Sequence, residues 1–255
     1  GASFAAFIIL LSFKTTCSFI NIGKSSFRML YFIILEPKSY ANTRLDEIMR
    51  YEHLIWDFDG TLFDTYGEIS KVIEQVLVSK GINEDYILIS QNLHKSLTHT
   101  LQLLSEKHNL DYMSLVAKFM EAEEKMNVQK ALPFEGVENI IQKIKGYNFI
   151  VTNRGASVFR FLESKDYLRY FEEILYRDSG FPLKPNSASV DYLVEKYSLD
   201  RKRILFIGDR DVDIECAINA GIDSCYYDSH DILNIAPCTY YVKKYFDLEQ
   251  ILITS

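Results

Sequence analysis

Apolar and polar positions alternate in blocks along most of this 255-residue chain. Short apolar runs rich in β-branched and aromatic residues recur at "HLIWD" (53–57), "YNFIVT" (147–152), "ILFIG" (204–208), "DSCYY" (223–227) and "TYYV" (239–242). Runs of this length and composition read as buried strands. Between them, apolar residues fall at three- and four-residue spacing in 136–146, 156–166, 187–198, 211–221 and 247–253. That periodicity predicts helices with one buried stripe. Gly146 and Gly221 stand where C-terminal helix caps belong. Strands alternating with helices imply βαβ units and right-handed crossovers. The predicted class is α/β, a Rossmann-like parallel sheet with helices on both faces.

Two stretches break the alternation. Residues 67–81, 96–109 and 111–130 are all helix-like, with no strand evident among them. They predict an all-helical insertion over 66–132, so that the core comprises 49–65 and 133–255. Residues 1–48 carry two apolar runs, "FAAFIILLSF" (4–13) and "MLYFIIL" (29–35). Both fall short of the roughly 20 residues a membrane-spanning helix needs. The first has the length of a secretion-signal apolar segment, but no basic stretch precedes it and no clear A-x-A site follows. Met49 opens "MRYEHLIWDFDG", a natural start for a compact domain. Residues 1–48 therefore read as an N-terminal extension, with a targeting role or a packed element as alternatives. "NIGKSS" (21–26) lacks the first glycine of a phosphate loop, because Ser18 stands at that position.

Composition narrows the function classes. The chain is 48% hydrophobic and 25% charged, which is ordinary globular composition, and its formal net charge is −7. An acidic chain lacks the basic face of a general nucleic-acid binder. It can still bind a small anion through a local cluster of Lys, Arg and backbone N–H groups. The four cysteines form no CxxC pair, which suits reduced thiols and a cytoplasmic protein. No membrane partner is expected, and nothing in the pattern speaks to oligomeric state.

The candidate chemistry lies just beyond the predicted strands, where open parallel sheets bind their ligands. "DFDGT" follows the first strand and places carboxylates at Asp57 and Asp59 with Gly60 directly after. One carboxylate can attack phosphorus while the other handles protons. "TNRG" follows the second, where the Thr152 hydroxyl and turn N–H groups at a helix start suit an anion. In "FPLKPN", Lys184 is a point charge held between Pro182 and Pro185, with Pro185 suited to a first helical turn. "GDRDVD" brings Asp209, Asp211 and Asp213, hard oxygen ligands of the kind Mg²⁺ takes.

These motifs, in this order, resemble the four motifs of the haloacid dehalogenase superfamily. "AINAG" (217–221) is also typical of it, and the likeness covers roughly residues 51–245. The helical insertion resembles the family's C1-type cap, as in the phosphoglycolate phosphatase and β-phosphoglucomutase branch. The resemblance implies Asp57 as nucleophile and Mg²⁺ ligand. It implies Asp59 as general acid/base, with its backbone carbonyl on the metal. Thr152 and the Asn153 N–H would hold the phosphoryl group, and Lys184 would bridge it to the nucleophile. Asp209 would bind Mg²⁺, with Asp213 supporting it directly or through water. Dehalogenases lack the second aspartate of the first motif, so Asp59 favours phosphate-ester chemistry. The expected activity is Mg²⁺-dependent hydrolysis of a small phosphorylated metabolite through an aspartyl-phosphate. A phosphosugar mutase and a non-catalytic phosphate-binding regulator are the alternatives.

Several nearby residues have plainer readings. Asp64 and Thr65 suit a helix cap, Asp211 a solvated first-turn acid, and Trp56 the core. Arg154 is read equally as a surface residue and as a substrate contact. His94, Lys95, Thr98 and His99 read as a solvated helix face, in the part of such insertions that meets substrate.

Overall fold

The structure is a computed structural model and describes residues 49–229 and 236–252. The predicted extension and its apolar runs lie outside those residues. Six strands form one parallel sheet in the order β3-β2-β1-β4-β5-β6. They are β1 (His53–Trp56), β2 (Asn148–Val151), β3 (Glu173–Leu175), β4 (Ile204–Gly208), β5 (Asp223–Tyr227) and β6 (Tyr240–Val242). β1 lies inside the sheet, flanked by β2 and β4.

Successive side chains of a strand point to opposite faces, and here both faces are covered. Leu54 and Trp56 join one apolar cluster and Ile55 the other. The first cluster is filled by α5 (Val137–Lys143), α6 (Ser157–Ser164) and α9 (Tyr245–Leu252). The second is filled by α7 (Ala188–Tyr197) and α8 (Asp211–Asn219). Double coverage explains why the strands read as unbroken apolar runs. Trp56 is fully buried in this core, and its Nε1 donates to Asn148 Oδ1 at 3.0 Å.

Between β1 and β2 come four helices, α1 (Tyr66–Val78), α2 (Tyr86–Leu93), α3 (Leu97–Lys107) and α4 (Tyr112–Glu124). α1 packs against α2 and α4, and α3 also packs against both of those. Asp85, Ser96 and Asp111 cap α2, α3 and α4, each accepting a backbone N–H of the first turn. The two chain segments leading to and from these helices are bonded together. Asp64 N donates to Leu132 O at 2.9 Å and Phe134 N to Leu62 O at 3.1 Å.

The structure differs from the sequence pattern at five places. β3 and α2 were not expected. The helix predicted over 111–130 ends at Glu124, and a separate 3₁₀ turn follows at Val128–Lys130. α5 stops at Lys143, so Gly146 is not its cap. There a Cβ would stand 2.5 Å from the Glu52 carbonyl oxygen, which leaves room for glycine alone. Pro185 lies in a turn rather than in a helix, because α7 begins at Ala188. Gly221 meets expectation: it follows the Ala220 C-cap of α8 with φ +64. Among the described residues, Cys216, Cys225 and Cys238 are free thiols. No helix among them is long and apolar enough to cross a membrane.

Candidate active site

The carboxyl ends of β1, β2 and β4, with the loop between β3 and α7 that carries Lys184, bring the predicted residues to one edge of the sheet. Asp57 directly follows β1, and its N–H still bonds the ladder, donating to Ile207 O at 2.8 Å. Its side chain is wholly buried. Lys184 Nζ donates to Asp57 Oδ1 at 2.6 Å and stands 2.6 Å from Asp213 Oδ1. Asp57 Oδ2 is buried without a hydrogen-bond partner. Asp57, Asp209 and Asp213 each offer an oxygen, all within 4.8 Å of one another.

Three buried carboxylates face the Lys184 ammonium and the nearby Arg210 guanidinium, and the site is still one positive charge short. The consequence shows in their acidity. Burial, and then the charge of Asp57, pushes Asp209 well above the ordinary carboxyl range. Burial and Asp57 also raise Asp213, against the pull of Lys184. Burial works against the Lys184 ammonium, but Asp213 and Asp57 outweigh it and hold its pKa above the usual lysine value. A partnerless buried carboxylate oxygen, beside two carboxyls that resist ionising, fits a divalent cation.

The other predicted residues form the rim. Thr152 is buried, and its Oγ1 accepts the Arg154 N–H at 3.1 Å. Asn153 braces the lysine loop: its Oδ1 accepts Lys184 N at 2.9 Å, and its Nδ2 donates to Lys184 O at 3.2 Å. Asp59 stands apart from the three-carboxylate cluster. Its Oδ1 accepts the Thr65 hydroxyl at 2.6 Å and Arg154 Nη1 at 2.5 Å.

Thr65 therefore departs from its expected use. It stands at the N-cap of α1, yet its hydroxyl serves Asp59 instead of a first-turn N–H. Asp64 is exposed. Asp211 is exposed on the first turn of α8, as expected, and accepts Ala236 N at 2.9 Å. Arg154 corrects the surface reading, being only 6% exposed. Of the four candidate residues on the helical insertion, Lys95, Thr98 and His99 are exposed. The His94 ring lies 4.4 Å from that of Tyr66.

Tyr66 was not legible as a site residue. Its hydroxyl donates to Asp209 Oδ2 at 2.7 Å and reaches the Asp59 carbonyl oxygen at 3.5 Å. Burial and the neighbouring Asp209 keep that hydroxyl protonated. Thr61 Oγ1 donates to the other Asp209 oxygen at 3.2 Å. These contacts need Gly60, which turns at φ +77. A Cβ there would press into Asp209 Oδ2 and stand 2.5 Å from Tyr66 Cε2. Gly60→Ala is expected to lose about 2 kcal/mol or more from backbone strain and displaced neighbours. Thermal and urea unfolding measure this, and an unchanged transition would mean that the loop relaxes at no cost.

Comparison with known proteins agrees with this geometry. A sequence model described as haloacid dehalogenase-like hydrolase matches residues 54–227, from the first residues of β1 to the end of β5. The chain belongs to that family. A phosphoglycolate phosphatase of Psychrobacter arcticus is 26% identical over 188 residues, covering 67% of this chain and 80% of the relative. A hydrolase structure from Streptococcus pneumoniae TIGR4 is 30% identical with a TM-score of 0.55, and covers 80% of this chain and 99% of its own. A HAD-hydrolase of Bacillus subtilis, solved bound to magnesium, shares the fold at 21% identity and a TM-score of 0.64. It too covers 80% of this chain and 99% of its own. The matched region of this haloacid dehalogenase-like hydrolase contains each residue of the cluster and its rim.

Proposed function

We propose that this phosphatase hydrolyses a small phosphate monoester with Mg²⁺, through an aspartyl-phosphate on Asp57. The observation that carries the reading is the Asp57 carboxylate. One oxygen is held by Lys184 and the other is buried and unpartnered, at the end of an interior strand. An oriented carboxylate with a spare oxygen is a nucleophile ready for phosphorus.

In the first step, an Asp57 oxygen forms a bond to phosphorus as the ester P–O bond breaks. Asp59 gives its proton to the leaving oxygen. In the second step, water gives a proton to Asp59 and attacks phosphorus. The acyl-phosphate P–O bond then breaks, freeing phosphate and Asp57. The Thr152 hydroxyl accepts Arg154 N and keeps its own hydrogen for a phosphoryl oxygen. Lys184 offsets negative charge at the attacking carboxylate. Asp57, Asp209 and the Asp59 carbonyl would hold Mg²⁺, with Asp213 in support. When bound, the ion neutralises charge on the phosphoryl oxygens. The helices over 66–132 serve as a cap that excludes bulk water and sets specificity.

Relatives named phosphoglycolate phosphatases favour a compact ester that carries both a phosphate and a carboxylate, such as 2-phosphoglycolate. The test is phosphate release over a metabolite panel containing it, with Mg²⁺ and with EDTA. Release that needs Mg²⁺ is expected. Isomerised sugar phosphate without phosphate release would make the chain a mutase. Silence across the panel, with Mg²⁺ bound, would make it a regulator.

A further inference from the structure

Arg154 is a buried charge that this chemistry leaves unused. Its guanidinium is 4% exposed. Nε donates to Ser157 Oγ at 2.9 Å, Nη1 to Asp59 Oδ1 at 2.5 Å, and Nη2 to Glu123 Oε1. Its Cζ lies 4.5 Å from the Phe161 ring centroid. A planar fork clamped between two carboxylates and stacked on a ring has little freedom.

The two carboxylates come from different parts of the fold. Asp59 belongs to the loop after β1, while Glu123 lies in the last turn of α4. Asp59 Oδ1 also holds the Thr65 hydroxyl, at the start of α1. One oxygen of the candidate acid/base is thus tied to both ends of the helical insertion. No side chain among the described residues bonds Asp59 Oδ2. Arg154 itself is a poor substrate ligand, because all three of its nitrogens are engaged and almost no surface is open.

We propose that Arg154 is a positioning residue that makes the orientation of the Asp59 carboxylate depend on the placement of α4. A buried guanidinium cannot leave both anions without a large penalty. If α4 shifts, Arg154 either follows Glu123 and releases Asp59, or keeps Asp59 and breaks with Glu123. Movement of the insertion is thereby felt at the group that must deliver a proton. The proton role rests on the phosphatase reading; the mechanical link does not.

The test compares Arg154→Met, Arg154→Lys and Glu123→Gln on two esters. 2-Phosphoglycolate has a poor leaving group that needs a proton, whereas p-nitrophenyl phosphate has a good one that needs little. Arg154→Met should lower kcat about 100-fold on the first and under about 10-fold on the second, with KM within about threefold. Arg154→Lys should recover part of the loss. Glu123→Gln should show the same leaving-group bias and add nothing in the Arg154→Met background. Equal losses on both esters, or a raised KM at constant kcat, would overturn the proposal.

A second readout needs no turnover. Gly60, Leu62 and Phe63 donate backbone bonds within the Asp59 loop. Glu123→Gln should change their amide exchange at least about threefold, and this change should vanish when Arg154 is Met. Unchanged exchange overturns the link even in an inactive protein. Wild type that hydrolyses neither ester, with the exchange link present, overturns the phosphatase reading alone.

Discussion

Asp57→Asn should lower turnover by more than about 10⁴-fold while leaving the fold intact. The substitution preserves volume, and its amide oxygen can still accept from Lys184. It removes one negative charge from three buried carboxylates that crowd within 4.8 Å. In EDTA the variant should therefore melt no lower than wild type, and its Mg²⁺-induced gain in Tm should shrink. Its pH dependence should also flatten. The raised pKa values of Asp209 and Asp213 give wild type without metal a contribution to stability that is fully present below the unfolded carboxyl pKa, near 3.8. That stability is lost as pH rises through the folded values. Asp57 is one cause of those shifts, so losing its charge weakens the decline. Acid quench after mixing with a labelled phosphate ester should leave label on wild type and none on the variant. A pure variant with more than about 1% of wild-type turnover would remove Asp57 from the chemistry.

Lys184→Met should do the opposite to stability. Lys184 is 1% exposed and neutralises two carboxylates that are themselves fully buried. Removing one partner of such a group leaves uncompensated buried charge, at a cost of about 3–5 kcal/mol. Turnover should fall by about 10³-fold, because the attacking carboxylate loses its orientation and its counter-charge. Added Mg²⁺ should restore part of the stability but not the rate. Combining the change with Asp57→Asn should recover stability, since one of the two stranded charges is then gone. Unfolding curves with and without Mg²⁺ measure all three effects. A variant as stable as wild type in EDTA would show that Lys184 is not the cluster's internal counter-ion.

The sheet was legible where burial acts on both strand faces, as in β1, β2 and β4. β3 was not, because "EIL" follows a second glutamate and offers only two apolar positions, whereas β6, an edge strand just as short, shows itself in the aromatic and β-branched "TYYV". α2 was passed over because its short "YILISQNL" buries only Ile89 and Leu93. In the site, Asp57, Lys184, Asp209 and Asp213 stood out because carboxylates and a lysine behind apolar runs have few structural uses. Tyr66 and Glu123 did not, and Arg154 reads equally as a surface residue and as a substrate contact. Their partners lie far along the chain, and a tyrosine or glutamate at a helix end looks the same whether it faces solvent or a carboxylate. Thr65 shows the same limit, since a helix-capping residue and a ligand for Asp59 look identical in sequence.

The pairing of residues 62–64 with 132–134 has an architectural consequence. Chain that departs and returns through a hydrogen-bonded neck leaves the strands beneath it indifferent to what is mounted above. A short turn could close that neck without disturbing the register of β1 against β2 and β4. A different set of helices could be mounted there just as well. Such a scaffold can exchange the helices above it through insertion and deletion while the residues at the strand ends stay where the sheet puts them. Three contacts limit that freedom: Tyr66 on Asp209, Arg160 on the Glu123 and Met126 carbonyls, and Arg154, to which any replacement would have to offer a carboxylate in place of Glu123.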